Sequence, residues 1–129
     1  MKHRRMKWIA VAAFALAAAS VQAEVGDIQW AADGRSAREF QVAPGQFAEW
    51  CGKLKRGDKV QWQFEAGVAL NYNIHYHEGK DVHFPAKQDG VAKAEGTLDV
   101  ALDQDYCWMW TNKTEVPIKL KATLRRVGG

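Results

Sequence analysis

Polar and apolar residues alternate along most of this chain with the period of two that marks a strand carrying one buried face. Val60, Trp62 and Phe64 alternate with Gln61, Gln63 and Glu65, and Leu70, Tyr72, Ile74 and Tyr76 alternate with Asn71, Asn73, His75 and His77. Near the end Val116, Ile118, Leu120, Ala122 and Leu124 fall on one side while Lys119, Lys121, Thr123 and Arg125 fall on the other. Leu98, Val100 and Leu102 predict a further strand between them. Gly57-Asp58, Glu78-Gly79-Lys80, Gln88-Asp89-Gly90 and Asn112-Lys113 supply turns at intervals that suit about seven or eight short strands. No apolar stripe of helical period reaches a convincing length. The pattern predicts an all-β domain, an antiparallel β-sandwich over residues 37–129, behind a loosely ordered leading segment at 24–36.

The first residues follow a different rule. Lys2, Arg4, Arg5 and Lys7 precede an apolar run from Trp8 to Ala19 that ends in Ser20-Val21-Gln22-Ala23. That is the three-part layout of an export signal, with small residues at the −3 and −1 positions, and the run is shorter than the roughly 20 residues a membrane-spanning helix needs. Residues 1–23 are therefore expected to be a signal peptide. The expected location is periplasmic, with full secretion as the other destination, and the mature chain is expected to hold no transmembrane segment. Four of the 18 Lys and Arg lie within the signal while all 15 Asp and Glu follow it, so the remainder is close to neutral. A nucleic-acid partner, which needs a basic stripe to neutralise phosphates, is not expected.

Cys51 and Cys107 are the only cysteines. In an exported chain they are expected to form a disulfide, for which the loop-entropy argument gives a stabilisation of about 4 kcal/mol. A metal-bound or reactive thiol pair lacks the CxxC spacing that would support it.

Several of these residues form a familiar series: Trp50-Cys51 through Leu54, Gly57-Asp58, the strand from Leu70 to Ile74, a strand starting at Gly96, and Tyr106-x-Trp108-x-Trp110-Thr111-Asn112 followed by Val116 to Leu120. Over residues 45–125 the series resembles the GOLD domain, the β-sandwich module of the p24 cargo-receptor family. One departure is informative. Met109 stands where the family pattern has a cysteine, and Cys107 lies two residues earlier, while Cys51 lies about two residues later relative to the Gly57 turn. On antiparallel neighbours those opposite displacements conserve the pairing, as if the bridge had slid along the ladder. The resemblance implies a GOLD-like or jelly-roll-like sandwich that recognises protein or lipid without catalysis. It does not carry over the cargo role, which goes with a coiled coil and a membrane span not found after residue 125.

Every histidine beyond the signal falls in the segment from His75 to His83. If Glu78-Gly79-Lys80 forms a three-residue loop, His77 opposes Asp81, Tyr76 opposes Val82 and His75 opposes His83, and the imidazoles share the polar face. A two-residue loop would oppose Tyr76 to His83 and mix the faces, so the three-residue loop is expected. Directly opposed side chains have Cβ atoms roughly 5 Å apart, close enough for His75, His77 and His83, with Asp81, to hold one copper or zinc ion. The same residues also suit a solvated polar face that holds nothing.

Tyr106, Trp108 and Trp110 share one parity while Cys107, Met109 and Thr111 share the other. A central strand buried on both sides accounts for this. Otherwise Trp108, Trp110 and Met109 form an exposed recognition strip. The main functional expectation is an exported, non-enzymatic binding module, with a transition metal held by the histidine cluster. The alternative is an adaptor that grips another envelope protein or a lipid without metal. A metal-dependent hydrolase stands third, because no nucleophile elbow or phosphate loop is present and a hairpin surface offers little concavity.

Overall fold

A single long strand organises the molecule. The computed structural model describes residues 23–128 and contains seven strands, with no helix among those residues. They are β1 (Glu24–Asp27), β2 (Arg35–Val42), β3 (Phe47–Leu54), β4 (Lys59–Glu78), β5 (Asp81–Asp99), β6 (Gln104–Thr111) and β7 (Ile118–Val127). One sheet runs in the order β1-β3-β6-β4-β7-β2, with β5 on the free side of β4. All pairs are antiparallel except β1 with β3. Residues 59–65 of β4 pair with β7, whereas residues 71–75 pair with β6. The bend between them falls at Ala66–Ala69, where Gly67 takes φ +70° and four residues of β4 oppose one of β5. Glycine suits such a corner because the positive φ is strained for other residues.

Folded at this bend, the two halves face each other as a sandwich whose far edges nearly meet. The Gln41 amide donates to Glu24 Oε1 across 3.4 Å, and the Arg38 guanidinium lies where a side chain on Gly26 would stand. The core between the halves is aromatic. Trp110 packs on Phe40 of β2 at 5.4 Å and on Phe64 of β4 at 5.9 Å between ring centroids, and Trp50, Tyr106 and Trp108 are as deeply buried. The even-numbered residues of β6 thus fill the core. Trp108 and Trp110 are not an exposed recognition strip, and Met109 is half-buried on the opposite face.

Asn112, expected as a turn residue, is fully buried at the end of β6. Its Nδ2 donates to the carbonyls of Val42 and Val116, and its Oδ1 accepts from the amide and hydroxyl of Thr114. The β6–β7 connection is held by a fully satisfied polar side chain, the condition on which burying one is tolerated.

Several expectations need correction. The export signal at 1–23 lies, Ala23 apart, outside the described residues. The segment 24–36 is ordered: it supplies β1, the buried Ile28 and the start of β2. The strands expected at 60–64 and 70–76 are one bent strand. Leu98 belongs to the end of β5 and not to a strand of its own. Gln88-Asp89-Gly90 is a bulge within β5, where Asp89 and Gly90 oppose Asn71 alone and the Gly90 amide donates to Asn71 Oδ1 at 3.0 Å.

The disulfide forms as expected. Cys51 and Cys107 are directly opposed on β3 and β6, with Cα atoms 4.1 Å apart, and the bridge lies on the sheet face away from the core. Changing both residues to Ala is expected to lower the unfolding free energy by about 2–4 kcal/mol in denaturant titrations; an unchanged midpoint would show that the bridge adds nothing to the ladder beneath it.

Candidate functional site

The β4–β5 hairpin extends beyond the core, and its end is where sequence and structure disagree most. The loop has two residues, Gly79 and Lys80, not three: Glu78 pairs with Asp81, His77 with Val82 and Tyr76 with His83. Gly79 takes φ +61°, as a glycine-first two-residue hairpin turn requires. Next to it Ile74 pairs with Ala86, so Phe84 and Pro85 together oppose His75 alone. This bulge sits at Pro85, which has no amide hydrogen to give to a ladder.

The imidazoles are separated as a result. His75 and His77 share the outer face of β4, with ring centroids 5.2 Å apart. His83 lies on the other face, stacked on Tyr76 at 5.0 Å and with Nε2 3.7 Å from Glu78 Oε2. Asp81, paired with Glu78, belongs to that second face. The ligand set of His75, His77, His83 and Asp81 is therefore not brought together. Among the described residues, the one group of three close metal-ligand atoms is Glu49 with Cys51 and Cys107, whose sulfurs are bonded to each other.

His75 instead belongs to a sheet-face cluster that no local pattern predicts. It is 5% exposed and directly opposes Cys107, next to the disulfide. Its Nδ1 is 2.7 Å from Asn73 Oδ1, and its Nε2 is 3.2 Å from Glu49 Oε1. Burial lowers its pKa below the ordinary histidine value, the Glu49 carboxylate raises it in part, and His77 lowers it again. Burial prevails, so folding holds this ring neutral where the unfolded chain would protonate it.

Two surfaces can engage a ligand. On the hairpin end, Val82 is 40% and Phe84 48% exposed, next to the His75–His77 pair, and Lys87 Nζ stands 5.2 Å from the centre of the Phe84 ring. Tyr76 and His83 stack on the reverse face and brace the ribbon against Tyr106. The second surface is a dished groove of about 920 Å3 on the outer face of β2, β7, β4 and β5. Arg35, Arg125, Gln61 and Thr97 form one cross-strand row along it, and Ala37, Thr123, Gln63 and Glu95 form the next.

This fold occurs in periplasmic lysozyme inhibitors and in a domain of a collagenase. The periplasmic inhibitor of g-type lysozyme from Aeromonas hydrophila superposes with a TM-score of 0.65 at 9% identity, over 82% of this chain and 98% of that one. The corresponding inhibitor from Salmonella Typhimurium gives 0.56 at 10% identity, over 81% and 99%. The pre-peptidase C-terminal domain of a Bacillus anthracis collagenase gives 0.57 at 8% identity, over 81% and 95%. At such identities the likeness is one of fold. None of the three is named as a GOLD domain, so the β-sandwich expected from that resemblance is present while the GOLD assignment gains no support. No family model and no curated protein matches the sequence.

The buried ring of His75 has a consequence for stability. Its folded pKa is depressed, so its contribution is fully present above about pH 6.5 and is lost as the pH falls toward the folded value, because unfolding then takes up a proton. In guanidinium titrations the stability difference between the native chain and a His75→Gln variant should shrink as the pH is lowered from 7.5 to 5. A difference that stays constant with pH contradicts this account.

Proposed function

We propose that this chain is an exported, non-enzymatic module that binds another protein through the end of its β4–β5 hairpin. The observation that carries the proposal is the pair Val82 and Phe84, large apolar side chains exposed on a ribbon with no core beneath it. Surface apolar groups clustered on a projecting element, rimmed by charge, mark contact sites more often than chance. Phe84 supplies an aromatic anchor and Lys87, whose ammonium stands beside that ring, supplies charge at the rim, which is the usual division between the centre and the edge of an interface.

The fold likeness supports the same reading. Two of the similar structures are inhibitors of g-type lysozyme, proteins whose activity is the binding of another protein. A g-type lysozyme is accordingly the first defined partner to test. The Tyr76–His83 stack holds the ribbon from behind, which lowers the conformational cost of docking. A metal-filled hairpin is the weaker reading, since the two histidines nearest Phe84 face away from His83 and Asp81.

A photo-reactive residue placed at position 84 in intact cells should give a discrete adduct that survives chelation, whereas the same group at the exposed Gln41 should not. In parallel, calorimetry with g-type lysozyme should show binding that weakens at least tenfold in a Val82→Ser, Phe84→Ser variant of unchanged circular dichroism. Absence of any adduct specific to position 84, together with no heat on titration with the lysozyme, would remove the proposal.

A further inference from the structure

The outer edge of β5 is unpaired, because the strand bonds to β4 on one side and to no other described strand. From Lys93 to Asp99 it is regular, each residue directly opposing one of β4 from Glu65 back to Lys59. Such an edge presents a row of free amide and carbonyl groups and accepts another strand unless charge or irregularity forbids it. Toward the hairpin end irregularity does forbid it, through the bulges at Pro85 and Gly90. Along 93–99 only charge remains to decide.

The charge is patterned. On the outer face, Glu39, Lys121, Glu65 and Lys93 form one row across β2, β7, β4 and β5, alternating in sign at every step. Glu39 and Lys121 stand 3.6 Å apart within it. The row stops at the open edge on Lys93. Two residues along the same strand and on the same face stands Glu95, and among the described residues neither Lys93 nor Glu95 joins an ion pair.

We propose that this edge binds a second copy of the chain, β5 against β5 in antiparallel fashion about a two-fold axis through Ala94. That axis sets each Lys93 directly opposite Glu95 of the other copy, and the alternating row continues across the boundary with the sign it lacks. It also fixes the register. With the axis moved to residue 93, lysine faces lysine, and with the axis at 95, glutamate faces glutamate, both unfavourable for directly opposed side chains. A lone lysine on an edge blocks strand addition, but here the self-pairing geometry brings the carboxylate that neutralises it. Ala92, Ala94 and Gly96 occupy the inner side of the same stretch and put no bulk in the way. Antiparallel pairing sends the two hairpin ends in opposite directions, so the dimer leaves both free, and the inference stands or falls apart from the protein-binding reading.

The test is sedimentation of the purified protein over a micromolar to millimolar range. The native chain should dimerise with rising concentration. Lys93→Glu and Glu95→Lys should each weaken dimerisation at least tenfold, since each sets like charges opposite one another. The double swap, carrying both changes, should restore it. The sharpest readout is the mixture: a K93E chain and an E95K chain, each monomeric alone, should associate with each other, because one then carries two glutamates and the other two lysines. A chain monomeric throughout, a dimer indifferent to the single changes, or a mixture that stays monomeric would each overturn the proposal.

Discussion

The structure depends on one bent strand that serves both halves of a single folded-over sheet. β4 gives its first seven residues to β7 and residues 71–75 to β6, and the aromatic cluster of Phe40, Phe64 and Trp110 is what it bends around. The corner is feasible because Gly67 accepts a positive φ and because the partner strand can skip residues at the bulge. Without that corner the two halves would be a flat ribbon with one apolar face in water. The burial of six aromatic side chains at the centre is thus tied to a backbone feature four residues long, and truncating any of the rings at the contact would cost on the order of 3–5 kcal/mol.

The same strand produces the exposed end. β4 is longer than the core it covers, so residues beyond Tyr76 run past the last apolar layer, and Val82 and Phe84 lie on the outer face, away from the core, where they stay exposed. The outer edge of β5 is left open for a related reason: β4 has β6 and β7 on one side in succession, and no further strand among the described residues covers the far side of the hairpin. Proteins usually manage such an edge with lysine, proline and bulges. Here Pro85, Gly90 and Lys87 do so toward the hairpin end, while the stretch from Lys93 onward is guarded by charge alone.

How much of this was legible in the residues follows from where a face is buried. The alternation over Val60–Phe64, Leu70–Ile74 and Ile118–Leu124 located strands correctly because one parity in each is packed in the core. The joining of the first two into one strand was hidden, since Ala66-Gly67-Val68-Ala69 reads as a break and a bent strand leaves the same composition as a turn. β1 was missed because a four-residue parallel edge strand leaves only Val25 and Asp27 pointing outward, too short a pattern to see. The pairing of Cys51 with Cys107 was legible from the cysteine count together with the export-signal pattern of the first residues, whereas its neighbours Glu49 and His75 come together only through the β3–β6–β4 register, which no local pattern encodes.

The hairpin register shows the limit of pattern reading most clearly. The expected three-residue loop rested on keeping Ile74, Tyr76, Val82 and Phe84 on one apolar side, and that criterion has force only where a side is buried. At 77–85 both faces are exposed, so hydrophobic matching contributes almost nothing and the turn decides. Gly79 favours the two-residue loop. Pro85 then absorbs the mismatch as a bulge, which restores Ile74 opposite Ala86 on the inner face. A shift of one residue moves Phe84 from the expected inner side to the outer one and carries His83 and Asp81 the other way. What the sequence presents as a cluster of four ligand residues is, in the folded chain, two histidines next to an exposed phenylalanine. The groups that the end of the ribbon presents together change from four potential ligands to two imidazoles and an apolar ring, and the cause is a turn preference of a single glycine acting where burial has no say.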